Sequence, residues 1–190
     1  MTMDSATLER LHELRRFDRS GFYASDEPAS GDDPTGAVTV TVDPTDRVAR
    51  VEVRSRDTIR RPEGLARAVD QAYRAAQLAR IDALPGRHGS RGDLHVAGTG
   101  ERPPVVAVRD VSGTGYVSTR RPSPETGRPE DFGPTSGVSD NDCVRVTLDV
   151  ASSRGAVDAG ADWLANATAT NIGSAVTQAY ADAYRKRDQA

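Results

Sequence analysis

Two stretches of this chain read alike at a spacing of 107 positions. The first runs Gly64-Leu65-Ala66-Arg67-Ala68-Val69-Asp70-Gln71-Ala72-Tyr73-Arg74-Ala75-Ala76. Its apolar residues Leu65, Val69, Ala72, Tyr73 and Ala76 fall on one face of an α-helix. The second places Ile172, Val176, Ala179, Tyr180 and Ala183 at the same steps, and both contain Ala-Val-x-Gln-Ala-Tyr. A helix of this length is marginal alone in water, so each apolar face requires a platform.

The residues upstream supply one. Val38, Val40 and Val42 alternate with Thr39 and Thr41, the pattern of a half-buried strand. Asp43-Pro44-Thr45-Asp46 is turn chemistry, and Val48 to Val53 reads as a second strand, which makes an antiparallel hairpin. Pro62 and Glu63 suit the first turn of the helix that follows. Val144, Val146 and Leu148 repeat the first strand at an offset of 106, Asp149 matches Asp43, Val157 matches Val51, and Asp158 matches Glu52. Arg154 stands opposite Val48, so the second strand is less well kept. Trp163 and Leu164 precede a helix expected from about Thr168 to Arg187. Chance likeness between Val-rich strands and Ala-rich helices is the competing reading. The shared order of elements favours a duplication.

The expected fold is therefore α+β, an α/β two-layer arrangement of duplicated β-β-α units, with antiparallel sheet covered by helices. Neither unit is large enough to hold a core comfortably by itself, so the two are expected to complete one another as an intrachain pseudo-dimer. Unit one spans 1–80, including a short helix over 4–16 with Leu8, Leu11 and Leu14 roughly on one side. Residues 18–35 read as a flexible connection. Residues 81–142 form a Gly/Pro-rich insert, and residues 81–140 hold seven of the eleven prolines and ten of the seventeen glycines. Within the insert, Val105–Val111 and Tyr116-Val117 read as a candidate hairpin around Ser112-Gly113-Thr114-Gly115. Unit two spans 143–190.

Only 36% of residues are apolar, so the core should be modest and built from Val, Ala and Leu. Cys143 is the only cysteine; no intrachain disulfide can form, and a buried small hydrophobe is the expected role. No signal peptide or membrane span is visible, which makes a soluble cytoplasmic protein the default expectation.

The run Gly36-Ala37-Val38-Thr39-Val40-Thr41-Val42-Asp43, then Arg47-Val48-Ala49-Arg50-Val51-Glu52-Val53, then Pro62-Glu63-Gly64-Leu65 and Ala68-Val69-x-x-Ala72-x-x-Ala75-Ala76, resembles the YbaB/EbfC nucleoid-associated family. The likeness covers residues 1–80 well and 143–187 more faintly. It implies a small α/β protein that dimerises and binds DNA, with helices projecting from a sheet platform. Some actinobacterial relatives are associated instead with type VII secretion. This chain differs from the family in its short first helix, its two copies and its long insert.

Enzymatic constellations are weak. His12, His88 and His95 are scattered, without the partners or spacing of a zinc site. Gly98-Thr99-Gly100 and Gly113-Thr114-Gly115 read as turns rather than phosphate loops. Arg91-Gly92-Asp93 and the sequon-like Asn166-Ala167-Thr168 carry no weight in a chain read as cytoplasmic. The expectation is a protein with no enzymatic activity, no cofactor and no metal.

Charge is better organised, although the net charge is only −3. Residues 47–80 hold nine arginines against four acids, and residues 1–35 hold four arginines against eight acids. Arg67 and Arg74 share a helix face away from the apolar stripe; their counterparts in copy two are Ser174 and Ala181. Arg60 and Arg61 flank the helix N-terminus, where backbone N–H groups favour phosphate. The expected DNA-contacting set is Arg15, Arg16, Arg50, Arg54, Arg60, Arg61, Arg67 and Arg74, acting on phosphates without base readout. A solvated Arg-rich face is the competing reading of the same residues. The expected partner is DNA, in the nucleoid, with a possible homodimer and a possible protein partner at the second repeat. The alternative is a protein-interaction module or chaperone-like accessory of a secretion system that has lost DNA binding.

Overall fold

The computed structural model describes residues 5–83, 133–150 and 152–190. The elements are α1 (Ser5–Phe17), β1 (Ala29–Asp32), β2 (Val38–Val42), β3 (Val48–Val53), α2 (Pro62–Asp82), β4 (Thr135–Val138), β5 (Val144–Leu148), β6 (Gly155–Ala159), α3 (Ala161–Asn166) and α4 (Ala169–Gln189). They form an α+β fold with two antiparallel three-stranded sheets, ordered β1-β2-β3 and β4-β5-β6. The hairpin considered at 105–117 lies outside the described residues, as do His88, His95 and the glycine turns of the insert.

The first half is β-β-β-α and the second β-β-β-α-α, not β-β-α. The extra strand of the first half lies in the stretch read as a flexible connection, and that of the second lies upstream of residue 143. Ala29-Ser30-Gly31-Asp32 and Thr135-Ser136-Gly137-Val138 carry no apolar alternation, so strand periodicity alone could not find them. Tertiary packing forms them. Gly31 pairs with Val40 and Gly137 with Val146. A Cβ on Gly31 would lie 2.1 Å from the Ala76 nitrogen, and one on Gly137 would lie 2.2 Å from the Ala183 nitrogen. Each first strand is thus a glycine seat on which the helix backbone rests.

The two halves match in hydrogen bonding as well as order. Ser30 Oγ meets Thr41 Oγ1 at 2.8 Å, and Ser136 Oγ meets Thr147 Oγ1 at 3.0 Å. The Val38 N–H donates to Asp33 Oδ1 at 2.7 Å, and the Val144 N–H donates to Ser139 Oγ at 3.0 Å. Gly36 at φ +67° and Asp142 at φ +55° occupy the same left-handed turn position.

The halves also complete one another. α2 covers β1 and β2 and lies against β6; α4 covers β4 and β5 and lies against β3. Val40, Leu65, Val69, Val146, Ile172 and Val176 are fully or almost fully buried in one continuous cluster. At the seam the Val51 N–H donates to Thr177 Oγ1 at 2.9 Å. The Val48 N–H donates to the Tyr184 hydroxyl at 3.1 Å, and that hydroxyl donates to the Ser153 carbonyl at 2.6 Å. Tyr184 therefore ties a strand of one half to the hairpin turn of the other.

Several local expectations shift. Of the three leucines of α1 only Leu11 is buried, while Leu8 is 47% exposed. Cys143 is half-buried, and its thiol sits against the Asn141 carbonyl at 3.2 Å in the turn before β5. The predicted buried position belongs to Val144, one residue on. Leu164 is buried within α3, with Trp163 partly buried against the core. α4 starts one residue after Thr168, whose hydroxyl accepts the Asn171 N–H at 3.2 Å as an N-cap. Among the described residues no helix is long and apolar enough to cross a membrane.

Asp182 on α4 gives the fold a measurable pH signature. Its carboxylate accepts from Lys186 Nζ at 2.7 Å and from the Val138 N–H at 3.0 Å, and it also pairs with Arg185. These bonds, the lysine's foremost, hold its carboxyl down at about 2. A carboxyl lowered in the folded state stabilises at neutral pH, and that contribution is lost as pH falls through its folded value. Asp182→Asn should cost about 1 kcal/mol at neutral pH, discounted because Lys186 and Arg185 are solvent-exposed. The gap to wild type should close between about pH 4 and pH 2, read by urea unfolding across that range.

Candidate nucleic-acid interface

Of the eight arginines expected to meet DNA, three line one concavity and five do not. Arg15 is a strut: its Nε donates to the Tyr23 carbonyl at 2.7 Å, and its Nη2 reaches the Ala24 carbonyl at 3.0 Å and Asp26 at 2.5 Å. Arg16 sits 5.9 Å over the ring of Phe17. Arg50 pairs with Glu52 at 2.9 Å, and Arg54 pairs with Asp32 at 3.4 Å. Both lie on the polar face of the first sheet, opposite the face covered by α2. Arg74 pairs with Asp70 at 3.2 Å, one turn back on α2. Exposed pairs of this kind are worth little to stability, but each carboxylate offsets its arginine's field.

Arg60, Arg61 and Arg67 are brought together. Pro62 starts α2, Arg61 is its N-cap residue in extended conformation, and Arg67 lies in the second turn. The three side chains line one concavity of about 530 Å³ with Asp57, Thr58, Glu63 and Gly64. Arg60 pairs with Asp57 at 3.0 Å. Arg61 and Arg67 are exposed and have no carboxylate partner within ion-pair distance among the described residues. The Arg61 carbonyl takes the Gly64 and Leu65 N–H groups, and no side chain caps the helix start. Pro62 has no N–H and the Gly64 and Leu65 N–H groups are already bonded, so the helix start adds chiefly its dipole to the guanidinium charges, offset by the Glu63 carboxylate in the first turn. The concavity thus sets three guanidinium groups against the two carboxylates of Asp57 and Glu63.

Other arginines of the same run are committed within the fold. Arg47 makes two bonds to Asp188, at 2.8 and 2.6 Å, and lies 4.8 Å over the Tyr184 ring, with Arg187 at 5.3 Å from the same ring. Arg56 donates to the Ala165 carbonyl at 2.7 Å. Arg80 is 2% exposed, 5.3 Å over the Phe22 ring, and among the described residues its guanidinium has no hydrogen-bond partner. Burial lowers its pKa, against the pull of Asp46 and Asp43. Sequence reading missed these internal uses because they depend on partners far along the chain. One signal was available: Arg80 and Arg187 are 107 positions apart, the spacing of the two helices.

A larger concavity of about 1010 Å³ lies where the hairpin turns of both halves approach α1. Of its four arginines, Arg10 and Arg47 are held by Asp188, Arg187 donates to the Ser152 carbonyl at 2.8 Å, and Arg19 is exposed. Among the described residues no group of three His, Cys, Asp or Glu side chains is placed to hold a metal ion.

No protein-family model matches the chain, and neither the curated proteins nor the solved structures include a significant match.

Proposed function

We propose that the protein binds DNA through the phosphate backbone, with little dependence on sequence, and that the opening turn of α2 is its principal contact. The observation that carries this reading is the gathering of Arg60, Arg61 and Arg67 in one concavity, two of them with no carboxylate partner among the described residues. Guanidinium groups release condensed counterions as they neutralise phosphates, and they orient a protein on a duplex without reading bases. The resemblance of residues 1–80 to the YbaB/EbfC family points the same way and makes nucleoid association the corresponding location. Arg16 is a secondary contact on this reading, while Arg15, Arg50, Arg54 and Arg74 contribute less because each has an acidic neighbour.

A protein-interaction role is the second reading. It is favoured by the same ion pairs, which leave a smaller basic surface than the arginine count suggests. Fluorescence anisotropy with duplexes of unrelated sequence, at low and at physiological salt, separates the two. DNA binding through the three arginines predicts similar affinity for every duplex and a log–log salt slope of about −3 or steeper. No binding at low salt, or binding that ignores salt, overturns the DNA reading. A stoichiometric protein partner retained after nuclease treatment of a lysate would then support the second.

A further inference from the structure

The outer edges of the two sheets are finished differently, and the repeat supplies its own control. In β4 the backbone groups of Ser136 and Val138 face away from β5. The Val138 N–H donates to Asp182 Oδ2 at 3.0 Å, and the Ser136 carbonyl accepts from Lys186 Nζ at 3.4 Å. α4 thus sets a carboxylate and an ammonium on the groups another strand would use, a known way of closing a sheet edge.

In β1, Ala29 and Gly31 pair with Val42 and Val40, and the Asp33 N–H turns inward to the Val38 carbonyl at 3.0 Å. Antiparallel pairing alternates, so the N–H and C=O groups of Ser30 and Asp32 face outward. The residues of α2 that stand where Asp182 and Lys186 stand in α4 are Ala75 and Ala79. Among the described residues nothing caps the outward groups of β1. Pro34 follows the strand where Asp140, whose N–H donates to Gln178 at 3.4 Å, follows β4.

The surroundings define what could pair there. α2 presses on β1 so closely that only glycine fits at position 31. A strand laid beside β1 would run under Ala75 and Ala79, with room on that side for small side chains. On the opposite side it would meet Asp32, whose half-exposed carboxylate it would share with Arg54, and the exposed Glu27 preceding the strand. A second copy pairing through its own β1 would set two copies of α2 over neighbouring strands. Strands pair about 4.8 Å apart, whereas helices need about 8–10 Å, so the overhang disfavours self-pairing.

We propose that the β1 edge accepts an extended segment of a partner protein. That segment alternates small residues (Gly, Ala or Ser) toward α2 with basic residues toward Asp32 and Glu27. Main-chain bonds to Ser30 and Asp32 supply affinity, and the overhang of α2 supplies selectivity.

The test pans the full chain against a displayed library of random peptides and synthesises those enriched. The expected consensus alternates small and basic residues, and the peptides slow amide exchange at Ser30 and Asp32 about tenfold or more. The double variant Ala75→Asp with Ala79→Lys moves the capping pair of α4 onto α2. It should keep the wild-type Tm and lose peptide affinity about tenfold or more. If it does not fold, Ser30→Pro, which removes an outward donor, serves in its place. Enrichment of no peptide, equal binding to the capped variant, or unchanged exchange at Ser30 and Asp32 overturns the proposal. A dimer seen by light scattering and abolished by capping would overturn it in favour of a second copy.

Discussion

Gly31→Ala and Gly137→Ala should each destabilise the protein by about 3 kcal/mol or more, an overpacking cost at the high end for a single methyl group. The reason is the nature of the atoms in the way. A Cβ at 31 would meet the Ala76 nitrogen at 2.1 Å, the Ala75 carbonyl carbon at 2.4 Å and the Ala72 oxygen at 2.6 Å. At 137 it would meet the Ala183 nitrogen at 2.2 Å and the Ala179 oxygen at 2.3 Å. These are backbone atoms of helices fixed on both flanks, so no rotamer change relieves the clash. Helix and strand must separate, which uncovers the Val40 and Val146 layers beneath. For a chain of this size the loss corresponds to a fall in Tm of roughly 6–12 °C, read by circular dichroism. Gly36→Ala is the control. Nothing lies within 4 Å of its Cβ position, and only the left-handed φ of +67° opposes the change, at about 1 kcal/mol. Gly36→Asp should cost less than Gly36→Ala, because Asp142 already occupies the equivalent place. Wild-type stability in Gly31→Ala would mean that β1 is not pressed against α2.

The contrast between those glycines and the valines explains what was legible. Val38, Val40 and Val42 declared a strand by alternation, and the Leu65 and Ile172 faces declared helices by period. Burial of these faces is local information, so the α+β class and the twin order of elements followed. β1 and β4 were invisible to the same rules. Their middle residue is glycine, chosen for what it lets approach and not for what it buries, and only the helix above makes sense of it. The signal was still present in the repeat. Ser30-Gly31 and Ser136-Gly137 stand at the spacing of the strand pairs, as do Thr41 and Thr147. Extending the comparison upstream would have found the missing strands. The candidate interface was legible only in part. A sequence counts arginines but not the carboxylates that fold onto them: Asp26 and Asp32 pair with Arg15 and Arg54, Asp70 is shared by Arg74 and Arg154, and Asp188 reaches Arg47 from the far end of the chain. Arg60 and Arg61 were placed correctly at a helix start because Pro62 marks that start locally.

Replacing Arg60, Arg61 and Arg67 together by alanine should weaken DNA binding roughly a hundredfold at physiological salt and flatten the salt slope by about 2–3. The matched triple Arg50→Ala, Arg54→Ala and Arg74→Ala removes the same formal charge, and it should weaken binding by no more than about threefold. The difference tests geometry against simple charge. At low ionic strength the two triples converge, because the long-range field then responds to net charge alone. Near physiological salt the screening length is about 8 Å, and only charges that touch phosphate count. In the second triple each guanidinium already lies against Glu52, Asp32 or Asp70, so a phosphate must displace a carboxylate to reach it. In the first, Arg61 and Arg67 have no such competitor among the described residues, and Arg60 must leave Asp57. All six side chains are surface groups, so both variants should unfold within about 1 kcal/mol of wild type, and unfolding curves make the binding comparison interpretable. Equal losses for the two triples at physiological salt would assign binding to diffuse charge. Unchanged affinity in the first triple, with wild-type binding intact, would move the contact away from the start of α2.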